Sequence, residues 1–178
     1  MGTKHLFRLV VVCLAMVSPY AAALPLEQWR SYEARIFFKS YSDFANTNNP
    51  ELIKLYHDGA VILANISHDA SNPKLTKLSG ETWKKFLTET FEKSRQPSEI
   101  SSYHNAQAQG RGSFIEIRAE RYVHNRCYWD RNFRVVIKKD EQNHYKITHQ
   151  DIYLNHGNYC EASPDEKVKI SNKVTITP

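Results

Sequence analysis

Apolar positions recur at three- and four-residue spacing through Trp29, Tyr32, Ile36, Phe37, Ser40, Tyr41 and Phe44. That period predicts an amphipathic helix of about twenty residues with one aromatic-rich face. Asn46-Thr47-Asn48-Asn49-Pro50 breaks it, and Pro50 suits the first turn of a short helix over Glu51–Tyr56. His57-Asp58-Gly59 turns the chain into a strand, Ala60–Ala64, and 65–79 reads as polar loop. Ser79 then predicts the cap of a second amphipathic helix, Gly80–Ser94, with Trp83, Phe86, Leu87 and Phe91 on its buried face. Beyond it the period drops to two. Alternation is weak over Ile100–Gln109 and clear over Phe114–Val123, Tyr128–Lys138 and Tyr145–Leu154, the last two closing a hairpin over Lys139–Asn143. Helices first and an antiparallel sheet after them predict an α+β domain.

At 178 residues the chain holds one domain with a proper core and little besides. Residues 1–23 read as a secretory signal. Lys4 and Arg8 supply positive charge, Leu9–Val17 is apolar, and Ala21-Ala22-Ala23 offers the small residues a signal peptidase accepts. The apolar run is too short to span a bilayer, and no later segment is apolar enough to anchor the chain. The expectation is a secreted or periplasmic domain over 24–160, without a membrane anchor, followed by a charged tail over 161–178. Removing Lys4 and Arg8 from the 24 basic residues leaves 22 against 19 acidic ones. Lys and Glu alternate along the second helix as on a solvated face, where a nucleic-acid binder would carry a basic stripe with exposed aromatics. Nucleic acid is therefore not expected as a partner. Cys127 and Cys160 outlast cleavage, and in an exported chain they predict one disulfide. It would close a loop of about 34 residues and contribute roughly 3–4 kcal/mol by the chain-entropy argument. No metal or cofactor is expected: the two cysteines are read as a disulfide pair, and the chain has no phosphate-binding glycine loop or His-Glu-x-x-His.

Three segments carry a resemblance. Leu55-Tyr56-His57-Asp58-Gly59-Ala60-Val61 looks like the junction of helix and first strand in the nuclear transport factor 2-like superfamily. Ser79-Gly80-Glu81-Thr82-Trp83 looks like the start of its second helix, and Tyr145-Lys146-Ile147-Thr148-His149-Gln150-Asp151 like its closing strand. Their order and spacing make the match, which spans most of Trp29–Leu154. The resemblance implies a cystatin-like cone, helices packed in a curved antiparallel sheet around an apolar pocket. The superfamily includes ketosteroid isomerase, SnoaL-like cyclases, scytalone dehydratase and many modules without catalysis, so the fold alone does not give the function. By the same resemblance the isomerase's carboxylate base falls on Ala64, its protonated carboxylic acid near Val135, and its phenol on Tyr41. A methyl group cannot accept a proton, which argues against isomerase chemistry.

In that cone Tyr41, Tyr56 and Trp83 would ring the pocket, with a polar tip on each ring needing a partner. The implied register turns Ile115, Ile117, Ala119 and Arg121 inward, with Trp129, Arg131, Phe133, Val135 and Ile137, and Thr148, Gln150, Ile152 and Leu154. This lining is apolar and carboxylate-free, and Arg121 and Arg131 could clamp an acidic head group. His149 and Asp151 share a strand face within reach of each other, as a general base and its orienting carboxylate would; the register sends them outward. Tyr122, Arg134, Val136 and Tyr153 share that outer face, whose aromatic and Arg content predicts a homodimer interface. His57-Asp58 reads as a turn, and Asn65-Ile66-Ser67 is a glycosylation sequon in an expected loop. The first expectation is a binding module for an apolar small molecule or a protein partner, with binding residues Tyr41, Tyr56, Trp83, Arg121, Trp129, Arg131 and Gln150. The rival is a cofactor-free lyase, cyclase or isomerase using His149 with Asp151, or Tyr41.

Overall fold

The computed structural model describes residues 26–67, 72–93, 99–157, 159 and 160. The expected signal segment and the tail lie outside the described residues. Three helices, α1 (Leu26–Asn46), α2 (Glu51–Lys54) and α3 (Gly80–Lys93), accompany six strands. These are β1 (Tyr56–Ser67), β2 (Lys74–Ser79), β3 (Ser101–Arg111), β4 (Phe114–Val123), β5 (Tyr128–Lys139) and β6 (Tyr145–Asn155). They form one sheet in the order β2-β1-β6-β5-β4-β3. β1 and β6 run parallel and every other pair is antiparallel. α1 packs on β3 and β4, and α3 on β1 and β2.

The polar stretch expected as loop contains β2, which pairs Leu78 with Ile62 and Thr76 with Ala64. Its residues are exposed or half-buried, as an edge strand's can be, so the sequence there lacks the alternation that marks a strand. The sequon at Asn65 accordingly lies in β1, with Asn65 exposed. Ser79 caps α3 as predicted, its Oγ accepting the Thr82 N–H at 3.1 Å. On α1 the buried stripe is Ala34, Phe37, Phe38, Tyr41 and Ser42, whereas Tyr32 and Ile36 are 56% and 52% exposed. Phe38 sets this face: it is fully buried against Tyr103 at 5.0 Å and Phe133 at 6.1 Å. On α3, Phe86 is half-exposed and stacks on Trp83 at 5.2 Å.

Register irregularities bend the sheet into a cone. They fall between His104 and Gln107 in the β3–β4 pair, between Ala119 and Arg121 in β4–β5, and between Val136 and Ile137 in β5–β6. An extra residue on one strand bends and twists it locally, which curls a long antiparallel ladder around the helices. Cys127, in the turn between β4 and β5, and Cys160, after β6, are bonded. The segment after β6 turns back so that Tyr159 N–H reaches the Arg126 carbonyl at 3.0 Å. Peptide mapping of the unreduced protein is expected to recover Cys127 and Cys160 as one linked pair. Alkylation of either thiol in the native protein would count against the bond.

Candidate functional site

The helices and the concave face of the sheet enclose a cavity of about 260 Å³. Leu52, Trp83, Leu87, Phe91, Ile152 and Leu154 supply its apolar wall, and Phe86, Asn48, Arg126 and His156 stand at its more exposed end. A chain of hydrogen bonds forms the floor. Tyr56 OH donates to Gln150 Oε1 at 2.6 Å, and Gln150 Nε2 donates to Tyr41 OH at 3.0 Å. Gln150 is fully buried, and both its amide atoms are matched. Burial raises the Tyr41 phenol above its usual value and the Tyr56 and Tyr103 phenols well above it. All three therefore stay protonated near neutral pH and act as hydrogen-bond groups rather than phenolate bases. Trp83 packs edge-on against Tyr56 at 6.4 Å, and its Nε1 is buried without a hydrogen-bond partner among the described residues. Of the expected binding residues, the structure brings Tyr41, Tyr56, Trp83, Arg121 and Gln150 together here.

Two expected binding residues lie elsewhere. The irregularity between Ala119 and Arg121 leaves Ala119 opposite Phe133 but Arg121 opposite Asp130. One extra residue on β5 inverts the parity of everything before it. Asp130 and Tyr128 turn inward, while Trp129 and Arg131 are exposed on the outer face, the guanidinium stacked on the indole at 5.6 Å. A second irregularity, between Val136 and Ile137, does the same on β6. It buries Ile147 and takes Thr148, expected inside, to a separate surface concavity beside His57 and Lys146.

The lining is also not free of carboxylates. Glu99, from the connection before β3, reaches the cavity wall. Its Oε2 accepts Arg121 Nη1 at 2.9 Å and its Oε1 accepts Tyr128 OH at 2.6 Å. Arg121 is 4% exposed and is not a free clamp for an acidic head group: it also donates to the Tyr153 carbonyl, and its Nε lies 3.6 Å from Asp130. The backbone explains why. β5 and β6 pair only as far as Arg134 opposite Asp151, beyond which the Tyr153 main chain keeps β1 on one side and has no β5 partner on the other. Asp130 Oδ2 accepts the Tyr153 N–H at 2.9 Å and Arg121 serves the carbonyl, so two side chains replace the missing rungs of the ladder. The nearby carboxylates raise the Arg121 pKa against the effect of burial, and burial raises that of Asp130.

His149 and Asp151 do not line the cavity. His149 Nε2 meets Asp151 Oδ1 at 2.9 Å, Asp151 Oδ2 accepts Arg134 Nε at 2.7 Å, and Arg134 Nη1 reaches Glu116 at 3.2 Å. These side chains form one hydrogen-bonded row across the convex face, with Arg134 ion-paired to Asp151 and Glu116. His57 and Asp58 do not pair as acid and base: Lys84 binds Asp58 and lowers its pKa, while His57 Nδ1 accepts the Gly59 N–H at 3.0 Å.

This architecture has solved counterparts. A nuclear-transport-factor-2-like protein with a cystatin-like fold from Novosphingobium aromaticivorans superposes with a TM-score of 0.51 at 12% identity, over 77% of this chain and 86% of the other. A ketosteroid isomerase-like protein from Parabacteroides distasonis gives 0.50 at 11% identity, over 67% of this chain and 84% of the other. The chain has the nuclear transport factor 2-like fold. No family model and no curated protein matches its sequence. Identity this low shows the shared cone and leaves the contents of the cavity to this chain's own residues. Among the described residues, no three His, Cys, Asp or Glu side chains converge to hold a metal ion, and no helix is long and apolar enough to cross a membrane.

Three cavity-lining residues, Glu99, Tyr103 and Arg126, were not among the expected binding residues. Glu99 and Arg126 lie in connections, where no period assigns a face. Tyr103 sits in the weakly alternating β3, and its aromatic character was the one available signal.

Proposed function

We propose that this chain is an exported single-domain module, residues 24–160 behind a cleaved segment, that binds an apolar small molecule in the cone cavity. The observation that carries this reading is the cavity itself: an apolar wall over a floor of three protonated phenols and a buried amide. Such a site solvates an apolar body and offers it one polar contact, the usual design of a small-molecule pocket. The unmatched Trp83 Nε1 adds a donor beside it. General acid–base chemistry finds less support. The cavity carboxylate Glu99 is held by Arg121 and Tyr128, the family resemblance sets the methyl group of Ala64 at the isomerase's base position, and His149 faces away. The disulfide suits an oxidising compartment. Native mass spectrometry of the secreted protein is expected to find a small molecule that leaves on collisional activation. Trp83→Ala should lose it while keeping the fold by circular dichroism. A mass equal to the bare chain, in protein that also binds no hydrophobic probe, would overturn the reading.

A protein partner is better placed on the convex face, and there we propose a second copy of this chain. Val61, Val136, His149, Asp151, Arg134 and Tyr153 form a surface of aliphatic, aromatic and paired charged groups across adjacent strands. Sedimentation at micromolar concentration is expected to give twice the chain mass, and Tyr153→Glu should halve it. A monomer in both proteins would leave this face to another partner.

A further inference from the structure

The cavity holds two guanidinium groups, and only one of them is spent inside the fold. Arg121 has two carboxylates and a carbonyl around it. Arg126, from the turn between β4 and β5, uses Nη1 alone, donating to the carbonyls of His156 at 2.9 Å and Asn155 at 3.3 Å. Among the described residues no carboxylate lies within ion-pair distance of it, and its Nε and Nη2 are uncommitted. Those two nitrogens form the edge of a guanidinium that takes a carboxylate through two parallel hydrogen bonds.

The turn is also fixed in place. Cys127, the next residue, is bonded to Cys160, and Tyr159 N–H binds the Arg126 carbonyl. A preorganised cation with one open edge therefore stands at the exposed end of an apolar cavity whose own carboxylate is already neutralised.

From this placement we infer that the ligand is an amphipathic acid. Its carboxylate is taken by Nε and Nη2 of Arg126, and its apolar body lies along Leu52, Trp83 and Phe91 toward the Tyr56–Gln150 floor. The inference rests on the cavity being a binding site, and it adds the head-group chemistry and the direction in which the ligand lies. At about 260 Å³ the cavity suits a short body, a single ring with a brief chain.

The test compares 4-phenylbutyrate with 4-phenylbutan-1-ol, which share the body and differ at the head group, by calorimetry on the disulfide-intact protein at neutral pH. The acid is expected to bind about tenfold more tightly than the alcohol, the scale of a charge-assisted pair at a part-exposed site. Arg126→Gln should erase that difference, lowering the affinity for the acid by about tenfold more than that for the alcohol. Arg126→Lys should keep part of it. Equal binding of acid and alcohol to the native protein would overturn the head-group assignment and leave the cavity reading standing. Equal loss of both in Arg126→Gln would reduce Arg126 to a structural tie for the 155–160 segment and overturn the assignment as well. Binding of neither compound to the native protein would count against the cavity reading itself. Should Arg126→Gln fail to fold, the acid-to-alcohol ratio in native protein and its fall with added salt decide the matter without it.

Discussion

Arg121→Met is expected to destabilise the fold by about 3–5 kcal/mol at neutral pH, the usual consequence of removing one member of a buried ion cluster. Three groups lose their partner together. Glu99 Oε2 and the carboxylate of Asp130, which is 3% exposed, lose a cation, and the Tyr153 carbonyl loses the donor that stands in for a missing strand. Met fills most of the space, so the cost comes chiefly from uncompensated charge rather than from a void.

The pH dependence separates these contributions. Burial raises the Asp130 pKa above 3.8, so between that value and its folded pKa the native state holds a proton that the unfolded chain has released. Native stability from this group therefore falls as pH rises through that window and is flat above it. In Arg121→Met the lowering influence of the guanidinium is gone, and the window extends upward. The difference between variant and parent should then shrink as pH falls through the carboxylate range. Urea titrations at several pH values measure it; a cost that stays constant with pH would show that packing, not charge, is what Arg121 contributes.

This network also marks where the sequence stops being readable. Long periodic segments fixed the elements, because a period of 3.6 or 2 sustained over ten residues leaves little choice of structure. β4 runs over Phe114–Val123 as the alternation required, and its inward set Ile115, Ile117, Ala119 and Arg121 is buried; Val123 continues that set, while Glu116, between two inward residues, is buried with its carboxylate held by Arg118 and Arg134. Tyr41, Tyr56, Trp83 and Gln150 were assigned to the pocket by the family resemblance and its register rather than by periodicity, and the structure groups them at the cavity. Parity fails at a bulge. Nothing in Asp130-Arg131-Asn132 announces an extra residue, yet it exchanges Trp129 and Arg131 for Tyr128 and Asp130 on the cavity side. The edge strand β2 was illegible because Leu75 is 60% exposed and no residue of the strand is buried, so selection for alternation is absent there. Arg126 was invisible on periodicity, although its position beside a predicted disulfide cysteine offered a hint.

Gly80→Ala is expected to cost about 3 kcal/mol, the upper part of the range for overpacking a tight contact, and to lower the melting temperature by about 10 °C for a domain of this size. Gly80 opens α3 directly over the start of β1. A Cβ there would stand 2.0 Å from the His57 carbonyl oxygen and 2.9 Å from that of Asp58. Both are backbone atoms, so no side-chain rotation relieves the overlap, and either α3 must lift from the sheet or β1 must bend away. The residue is thus required for close approach alone: among the glycines of the described residues, Gly112 is the one with positive φ. Lifting α3 moves Trp83 and Leu87, both buried wall residues of the cavity, so stability and ligand affinity should fall together. Thermal unfolding followed by calorimetry, with and without 4-phenylbutan-1-ol, measures both. Ser79→Ala is the control, because it removes the helix cap at a cost of about 1 kcal/mol without forcing the helix outward. A Gly80→Ala protein that melted within a degree or two of its parent would mean that α3 does not sit this close to β1, and the volume and lining of the cavity would have to be redrawn.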